Sequence, residues 1–196
     1  EQEEAGTSQL KDVKWKGQRV HRLLNFLYQS DKIWKEQEMK NIAQQMFIEV
    51  NTNIEKRDIT KLKGKTTQEI YDKLDSSITE LIVKKQLIQK RNLAARDIEI
   101  VLVKNYYDNK RDEFTMWISG QAQQVTIDEK TEQELAGDDY VKDFEEFWTF
   151  IRKENKWILK SIEPSFKMNS LINEENIDEG STKFLMDWYY TRERGI

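Results

Sequence analysis

The spacing of apolar residues changes along the chain, from a helical period in the first half to alternation in the second. Apolar residues recur every three or four positions within residues 39–54 and again within residues 67–90, which predicts two amphipathic helices. Thr66 and a glutamate three residues later have the spacing of a capping box, which predicts that the second helix starts there. Residues 10–28 are basic and amphipathic as well, although Gly17 weakens the helix prediction in their middle.

The second half of the chain has the alternation of apolar and polar residues that is typical of strands. The pattern predicts strands at residues 98–106, 113–127, 142–153 and 156–163. Residues 128–139 are acidic and predict an exposed loop. Because helices come first and strands follow, the order favours an α+β fold, with N-terminal helices packed on a curved four-stranded antiparallel sheet.

Composition supports a folded domain and narrows its chemistry. Of 196 residues, 35% are charged and 11% are aromatic, with six Trp, so the chain has both a solvated surface and material for a core. A net charge of −4 gives no reason to expect nucleic acid as a partner. With no Cys and one His, thiol chemistry and His-based metal sites are not expected, and we predict no metal and no cofactor.

The acidic and basic side chains show no catalytic arrangement. His21 has no second histidine with which to act, and we expect it to be a surface residue. Glu145 and Glu146 are neighbours in a predicted strand, so they point to opposite faces and cannot share a proton. Neither a glycine-rich phosphate loop nor a nucleophile elbow occurs in the sequence. We therefore predict a chain that is not an enzyme and has no catalytic residues.

The last two predicted strands contain a recognisable motif. Residues 143–152 read DFEEFWTFIR and residues 157–163 read WILKSIE. This pair resembles the closing hairpin of the Tim44-like domain family, with its pattern E-x-W-T-F-x-R followed by W-x-L-x-x-I.

Two shorter segments upstream also resemble this family. Residues 126–131, TIDEKT, resemble its Y-x-V-D-E-x-T-G turn, and residues 57–62, RDITKL, resemble its R-D-L-x-x-L link between helices. The turn departs from the pattern at two places, since Gln124 and Val125 stand where the family has Tyr, and Glu132 stands where it has Gly. The resemblance covers residues 33–163.

This resemblance implies a cone-shaped fold of the nuclear-transport-factor-two or cystatin-like type. It divides the chain into a leader and basic amphipathic helix (1–30), the Tim44-like domain (31–164) and a C-terminal extension (165–196). It also implies association with the bacterial plasma membrane or the mitochondrial inner membrane. The sequence contains no run of about 18 apolar residues, so we expect that any membrane anchor lies outside this chain.

Two groups of residues are candidates for function. The first is a set of aromatic side chains that either line an apolar pocket or fill the core: Phe47, Trp117, Trp148, Phe150 and Trp157. The second is the basic amphipathic segment, where cations beside aromatic residues suit contact with an anionic membrane surface or a protein partner, and equally packing on the domain itself. Its members are Lys11, Lys14, Trp15, Lys16, Arg19, Arg22, Phe26 and Leu27.

Three functions remain open at this stage. The leading one, which the resemblance implies, is a non-catalytic, membrane-associated protein-interaction module in protein translocation, insertion or membrane-complex assembly. The alternative is a small apolar ligand-binding domain that uses the interior of the cone. An enzyme of the same fold is the third, and the sequence disfavours it because no polar residue is clearly directed at the aromatic face.

Overall fold

The computed structural model describes residues 2–165, 170–171 and 173–192, with side chains from Gln9 onward. Helices precede strands, as the sequence predicts, and the strands form one curled sheet. The first three helices are α1 (Gln2–Ser30), α2 (Glu36–Glu55) and α3 (Gln68–Lys84). The strands are β1 (Gln86–Asn105), β2 (Glu113–Asp128), β3 (Glu134–Gly137), β4 (Lys142–Lys153), β5 (Lys156–Pro164) and β6 (Ile177–Asp178), and helix α4 (Lys183–Thr191) follows them.

The α+β prediction is confirmed, and the sheet has two short strands more than the four expected. Its order is β5-β4-β2-β1-β6, and β3 pairs with β2 where β4 has ended. All pairings are antiparallel except that of β6 with β1. Strand β3 lies within the stretch predicted as a loop, and β6 has only two residues. Both are too short to produce a recognisable alternation.

The boundary between α3 and β1 lies earlier than the sequence predicts. We expected the helix to reach residue 90 and the first strand to begin at residue 98. Instead Lys85 adopts a left-handed conformation with φ of 54°, which ends the helix, and the strand begins at Gln86. The N-terminal part of β1 pairs with the end of β2, from Gln86 opposite Asp128 to Arg91 opposite Gln123. Pairing with β2 therefore decides the conformation of this segment.

The two faces of the sheet hold separate apolar clusters. The concave face packs against α2 and α3 and holds the larger cluster, which includes Met39, Phe47, Phe114 and Trp148. The smaller cluster lies on the opposite face. Helix α1 contributes to both, because Val20, Leu23, Leu24 and Leu27 join the larger cluster and Val13 joins the smaller one. Helix α1 therefore packs beside β1 and contacts residues from both faces of the sheet.

Gly17 lies where α1 comes closest to β1. A Cβ atom at this position would be 2.4 Å from Cγ of Glu99, so a larger residue would require the Glu99 side chain to move. The lack of a side chain at Gly17 thus lets α1 pack against Glu99 of β1 without that displacement.

Candidate functional site

The five aromatic side chains of the first candidate group are all buried, and they do not form one site. Phe47, Trp148, Phe150 and Trp157 belong to the cluster on the concave face, whereas Trp117 belongs to the cluster on the opposite face. The alternation along the strands causes this separation.

Ring-to-ring packing fills the space beneath the helices. The ring centroids of Phe47 and Trp148 are 5.4 Å apart, and those of Phe114 and Phe150 are 4.9 Å apart. Trp157 packs on Phe114 at 4.9 Å and donates its ring N–H to the carbonyl oxygen of Ile33 at 3.3 Å. These concave-face aromatic side chains are core residues.

Side chains of the hairpin motif form hydrogen bonds within the fold. Within E-x-W-T-F-x-R, the indole N–H of Trp148 donates to Oε2 of Glu146 at 2.8 Å. The hydroxyl of Thr149 is hydrogen-bonded to that of Thr115 on the neighbouring strand at 2.9 Å. Each of these motif side chains therefore has a partner inside the domain.

The motif arginine anchors the turn between α1 and α2 to the sheet. Nη1 of Arg152 donates to Oδ2 of Asp31 at 2.6 Å and to Oδ2 of Asp112 at 3.1 Å. Asp112 is fully buried and also accepts the backbone N–H of Tyr106 at 2.8 Å. Burial raises the pKa of the Asp112 carboxyl, and the Tyr106 N–H and the Arg152 guanidinium oppose that increase. Sequence reasoning missed Asp31 and Asp112, because each reads as an ordinary turn residue.

The two shorter motif segments contact each other. Arg57 donates from both terminal nitrogens to the carboxylate of Glu129, at 3.1 and 2.9 Å. Next to Glu129, Oδ1 of Asp128 accepts backbone N–H bonds from Lys130 and Thr131. The link after α2 is thus joined to the turn after β2. In the described part of the chain, no cluster of acidic and histidine side chains is arranged to hold a metal ion.

His21 lies on an exposed flank of α1 and is engaged by neighbouring side chains. Its Nδ1 is 2.5 Å from Oε2 of Glu36, and its Nε2 is 3.2 Å from Nδ2 of Asn25. Glu36 also pairs with Lys40 at 3.1 Å, and Lys40 lies 3.6 Å from Glu99. The histidine is therefore part of an ion-pair network between α1, α2 and β1.

An open groove of about 700 Å³ lies between α2 and β1. Phe47, Leu93, Ile98 and Ile118 supply its apolar wall. A smaller cleft of about 220 Å³, which shares Phe47 and Leu93 with the groove, extends toward β4. The groove offers apolar contact, as a small ligand or the side chain of a peptide would need.

Three polar residues of the groove, Asn51, Glu55 and Lys90, are hydrogen-bonded within its walls. Nζ of Lys90 donates to Oδ1 of Asn51 at 2.6 Å, and the Lys90 backbone N–H donates to Oε1 of Glu55 at 2.9 Å. Nδ2 of Asn51 donates to the carbonyl oxygen of Phe47 at 2.8 Å. The bonds of Lys90 therefore join β1 to α2 across the groove.

The basic segment is divided between the surface and the interior. Lys11, Lys14 and Trp15 are exposed, and Arg19, Arg22 and Phe26 are half-buried. Because 3.6 residues make one turn, Lys11, Lys14, Trp15 and Arg22 lie on one face of α1.

Leu27 and Lys16, two further members of that group, face inward. Leu27 is part of the core. Lys16 is buried, and its Nζ donates to the carbonyl oxygen of Glu174 at 2.7 Å. Burial lowers the pKa of Lys16 and Arg19 adds to the decrease, while the carboxylate of Glu174 opposes it. Lys16 therefore fixes the C-terminal segment and is not available to an external partner in this conformation.

Helix α4 carries exposed aromatic side chains that sequence reasoning did not single out. Phe184 is 80% exposed and Trp188 is 38% exposed. They are four residues apart and so lie on one side of the helix. An apolar pair at this spacing is also what a core-facing helix would show, which is why the sequence alone does not reveal their exposure.

In the part of the chain that the structure describes, no helix has both the length and the apolar character that spanning a bilayer requires.

Comparisons with known proteins identify a domain family. A model of the Tim44-like domain matches residues 22–173, which is more than half of the chain. Among solved structures, the intermembrane space region of the chloroplast protein ARC6 is similar with 11% sequence identity and a TM-score of 0.49. That alignment covers 66% of this chain and 96% of the ARC6 region. A search of curated proteins finds no match.

Proposed function

This chain belongs to the Tim44-like domain family, and from that premise we propose that it is a non-catalytic module that binds a protein partner at a membrane surface. In this proposal it serves protein translocation, membrane insertion or the assembly of a membrane complex. The membrane is the bacterial plasma membrane or the mitochondrial inner membrane, with an anionic lipid surface as the site of contact. Membership of the family supports the class of function, and the exposed face of α1 supports contact with the membrane.

The observation that carries this proposal is the exposed face of α1. Lys11, Lys14 and Arg22 surround Trp15, which is 53% exposed, whereas the whole chain has a net charge of −4. A cation close to an anionic bilayer contributes up to about 1 kcal/mol, and an indole ring adds apolar contact at the level of the head groups. The positive charge must act locally, since the remainder of the chain is repelled by the same surface.

The contacts of His21, the residue weighed for acid–base chemistry, support a non-catalytic role. Its Nδ1 is engaged by Glu36 and its Nε2 by Asn25. A general base needs a free nitrogen that faces a bound substrate, and both ring nitrogens of His21 have partners within the protein in this conformation.

Co-sedimentation with vesicles tests the membrane contact. The full chain is mixed with neutral vesicles and with vesicles that contain an anionic phospholipid, at low and at high salt. We expect binding to the anionic vesicles, with loss at high salt because the Debye length falls from about 10 Å at 0.1 M to about 3 Å at 1 M. The combined variant Lys11→Glu, Lys14→Glu and Arg22→Glu should abolish binding.

A matched control separates local from overall charge. Lys56, Lys61 and Lys63 are exposed residues at the turn between α2 and α3, and their reversal to Glu changes the net charge by the same amount. This control variant should bind nearly as well as the unmodified chain. Equal loss in both variants, or no binding of the unmodified chain at low salt, would reject membrane contact through α1.

The groove between α2 and β1 supports a second candidate function, the binding of a small apolar ligand. Its volume of about 700 Å³ and its wall of Phe47, Leu93 and Ile98 suit an acyl chain. A fluorescent fatty acid should then bind in a titration, and Leu93→Glu should abolish the signal. Leu135→Glu is the control, because Leu135 is an exposed leucine on β3. Absence of binding to the unmodified chain would reject this candidate.

A further inference from the structure

The tryptophans divide between the interior and the surface of the molecule. All six lie in the described part of the chain, and Trp34, Trp117, Trp148 and Trp157 are buried. The remaining two are Trp15 on α1 and Trp188 on α4. Although 173 positions separate them in the sequence, these two residues lie on helices that pack against each other.

Ring contacts join these two helices. Phe26 of α1 stacks on Tyr189 of α4 with centroids 4.0 Å apart, and Tyr189 meets the ring of Trp188 at 5.3 Å. The guanidinium of Arg19 lies over Trp15 at 4.5 Å and over Tyr190 at 4.1 Å. Aromatic and cationic groups thus continue from α1 onto α4 without a break.

We define the two-helix face as the outer side chains of α1 and α4. Its members on α1 are Lys11, Lys14, Trp15, Arg19, Arg22 and Phe26, and its members on α4 are Phe184 and Trp188, together with Arg192, which directly follows that helix.

The charge of these helices differs in sign from that of the whole chain. Beyond the cations of the two-helix face, Lys183 is also exposed, and the carboxylates among residues 9–30 and 183–192 are Asp12 and Asp187. Helix α1 carries two more, Glu3 and Glu4, in its first turn. This comparison covers the described side chains of residues 9–30 and 183–192. Cations outnumber carboxylates here by six to two even without the buried Lys16, whereas the chain carries a net charge of −4.

The apolar part of the face is too exposed to be explained by folding. Phe184 leaves 80% of its surface in water, and a large aromatic residue in that position contributes little to the core. The guanidinium of Arg192 lies 4.1 Å above the ring of Trp188. Aromatic rings beside cations suit the boundary between head groups and acyl chains, where the ring enters apolar surroundings and the charge meets phosphate.

We propose that α4 shares in membrane contact, so that Phe184, Trp188 and Arg192 engage an anionic lipid surface together with Trp15 and Arg22 of α1. This inference rests on the proposed function and extends it to a second helix. A lipid surface is favoured because the positive charge of the face opposes the sign of the whole chain and because the aromatic groups form a surface rather than a pocket.

Quenching by brominated lipid reports which tryptophan enters the bilayer. Trp15→Phe leaves Trp188 as the exposed tryptophan, and Trp188→Phe leaves Trp15. With anionic vesicles that contain brominated acyl chains, fluorescence of both single variants should be quenched. The double variant should lose most of the quenching, since its four remaining tryptophans are buried.

A binding measurement on the full chain complements the quenching. Phe184→Ala with Trp188→Ala removes apolar contact from α4 and should weaken binding to anionic vesicles by about tenfold. That tenfold ratio should stay the same as salt rises over the range in which the unmodified chain still binds, because the lost contact is apolar in origin. The control is Tyr107→Ala with Tyr140→Ala, two aromatic residues that are 81% and 66% exposed and lie outside the two-helix face. This control should bind like the unmodified chain.

The outcomes separate this inference from the proposed function. If the unmodified chain binds, Trp15→Phe abolishes quenching and the α4 variant binds normally, then α4 has no part in the contact and only this inference fails. If the unmodified chain binds no vesicles of either composition, both fail and the two-helix face is left for a protein partner. Quenching of Trp188 together with weaker binding of the α4 variant supports the inference.

Discussion

The apolar cluster on the concave face and the two-helix face contain the same residue types, but the cluster buries them and the two-helix face leaves them exposed. In the core, Trp34 and Trp157 pack at a centroid distance of 5.0 Å and are at most 6% exposed. On the two-helix face, Trp15 and Trp188 remain in contact with solvent, and each lies beneath an arginine. The difference shows that aromatic content does not identify a site in this fold. What matters is whether the curled sheet and its helices cover the ring.

The arginines of the two regions differ in the same way. Arg152 is buried between two aspartates that hold the α1–α2 turn to the sheet. Arg19 is half-buried between the exposed ring of Trp15 and the buried ring of Tyr190. The first arginine stabilises the fold, whereas the second keeps its charge near the surface where an anionic partner can approach.

Replacing one tryptophan from each region should give the largest difference in the free energy of unfolding. Trp157→Ala should lower the free energy of unfolding by about 3–5 kcal/mol, because it leaves a cavity beside Phe114 and removes the bond to Ile33. Trp188→Ala should cost less than about 1 kcal/mol. Chemical denaturation of both variants measures the difference. Similar losses would mean that Trp188 is part of the core, and the proposed role of α4 would lose its basis.

The two arginines provide a second test with a slightly smaller contrast. Arg152→Met should cost roughly 3 kcal/mol, since it leaves the buried carboxylate of Asp112 without its cation. Arg19→Met keeps much of the packing and should cost about 1 kcal/mol or less. Urea denaturation at neutral pH measures both values. An Arg152→Met variant as stable as the unmodified chain would show that the Asp31–Arg152–Asp112 network does not stabilise the fold.

The sequence predicted those parts of the fold that depend on regular spacing. The strands β2, β4 and β5 follow from alternation, and α2 follows from the period of its apolar residues. The early start of β1 could not be predicted, because apolar residues such as Leu87 and Ile88 fit a helix as well as a strand. Their pairing with Ile127 and Thr126 of β2 decides between the two.

The candidate site was predictable only in part, because burial depends on contacts distant in the sequence. The basic face of α1 is visible in the sequence as cations around Trp15. That Lys16 turns inward depends on Glu174, which lies 158 positions away. The exposure of Phe184 likewise depends on how α4 packs against α1, and spacing within α4 gives no information on that contact.

Glu99, where α1 packs on β1, should give a smaller effect on stability, and that effect should depend on pH. Burial raises the pKa of the Glu99 carboxyl, while Lys40 opposes the increase and Glu36 adds to it. The folded state therefore binds more protons than the unfolded state between the two pKa values, so stability should fall as pH rises through this range.

Glu99→Gln should be more stable than the unmodified chain at neutral pH and should show a flatter pH dependence. Thermal unfolding between pH 4 and pH 8 measures this, with Glu69→Gln, an exposed residue of α3, as the control. If Glu99→Gln is instead less stable at neutral pH, pairing with Lys40 outweighs the cost of burial, and the charged carboxylate helps to hold α1 on the sheet.

Hydroxyl-radical footprinting of the full chain on anionic vesicles reads the exposure of individual side chains in the bound state, and it therefore shows which residues lie against the membrane. We expect oxidation of Trp15, Phe184 and Trp188 to fall on membrane binding, while oxidation of Tyr107 and Tyr140 does not change. Unchanged oxidation of all three residues of the two-helix face, with vesicle-bound protein present, would contradict the account and place the membrane contact elsewhere on the molecule.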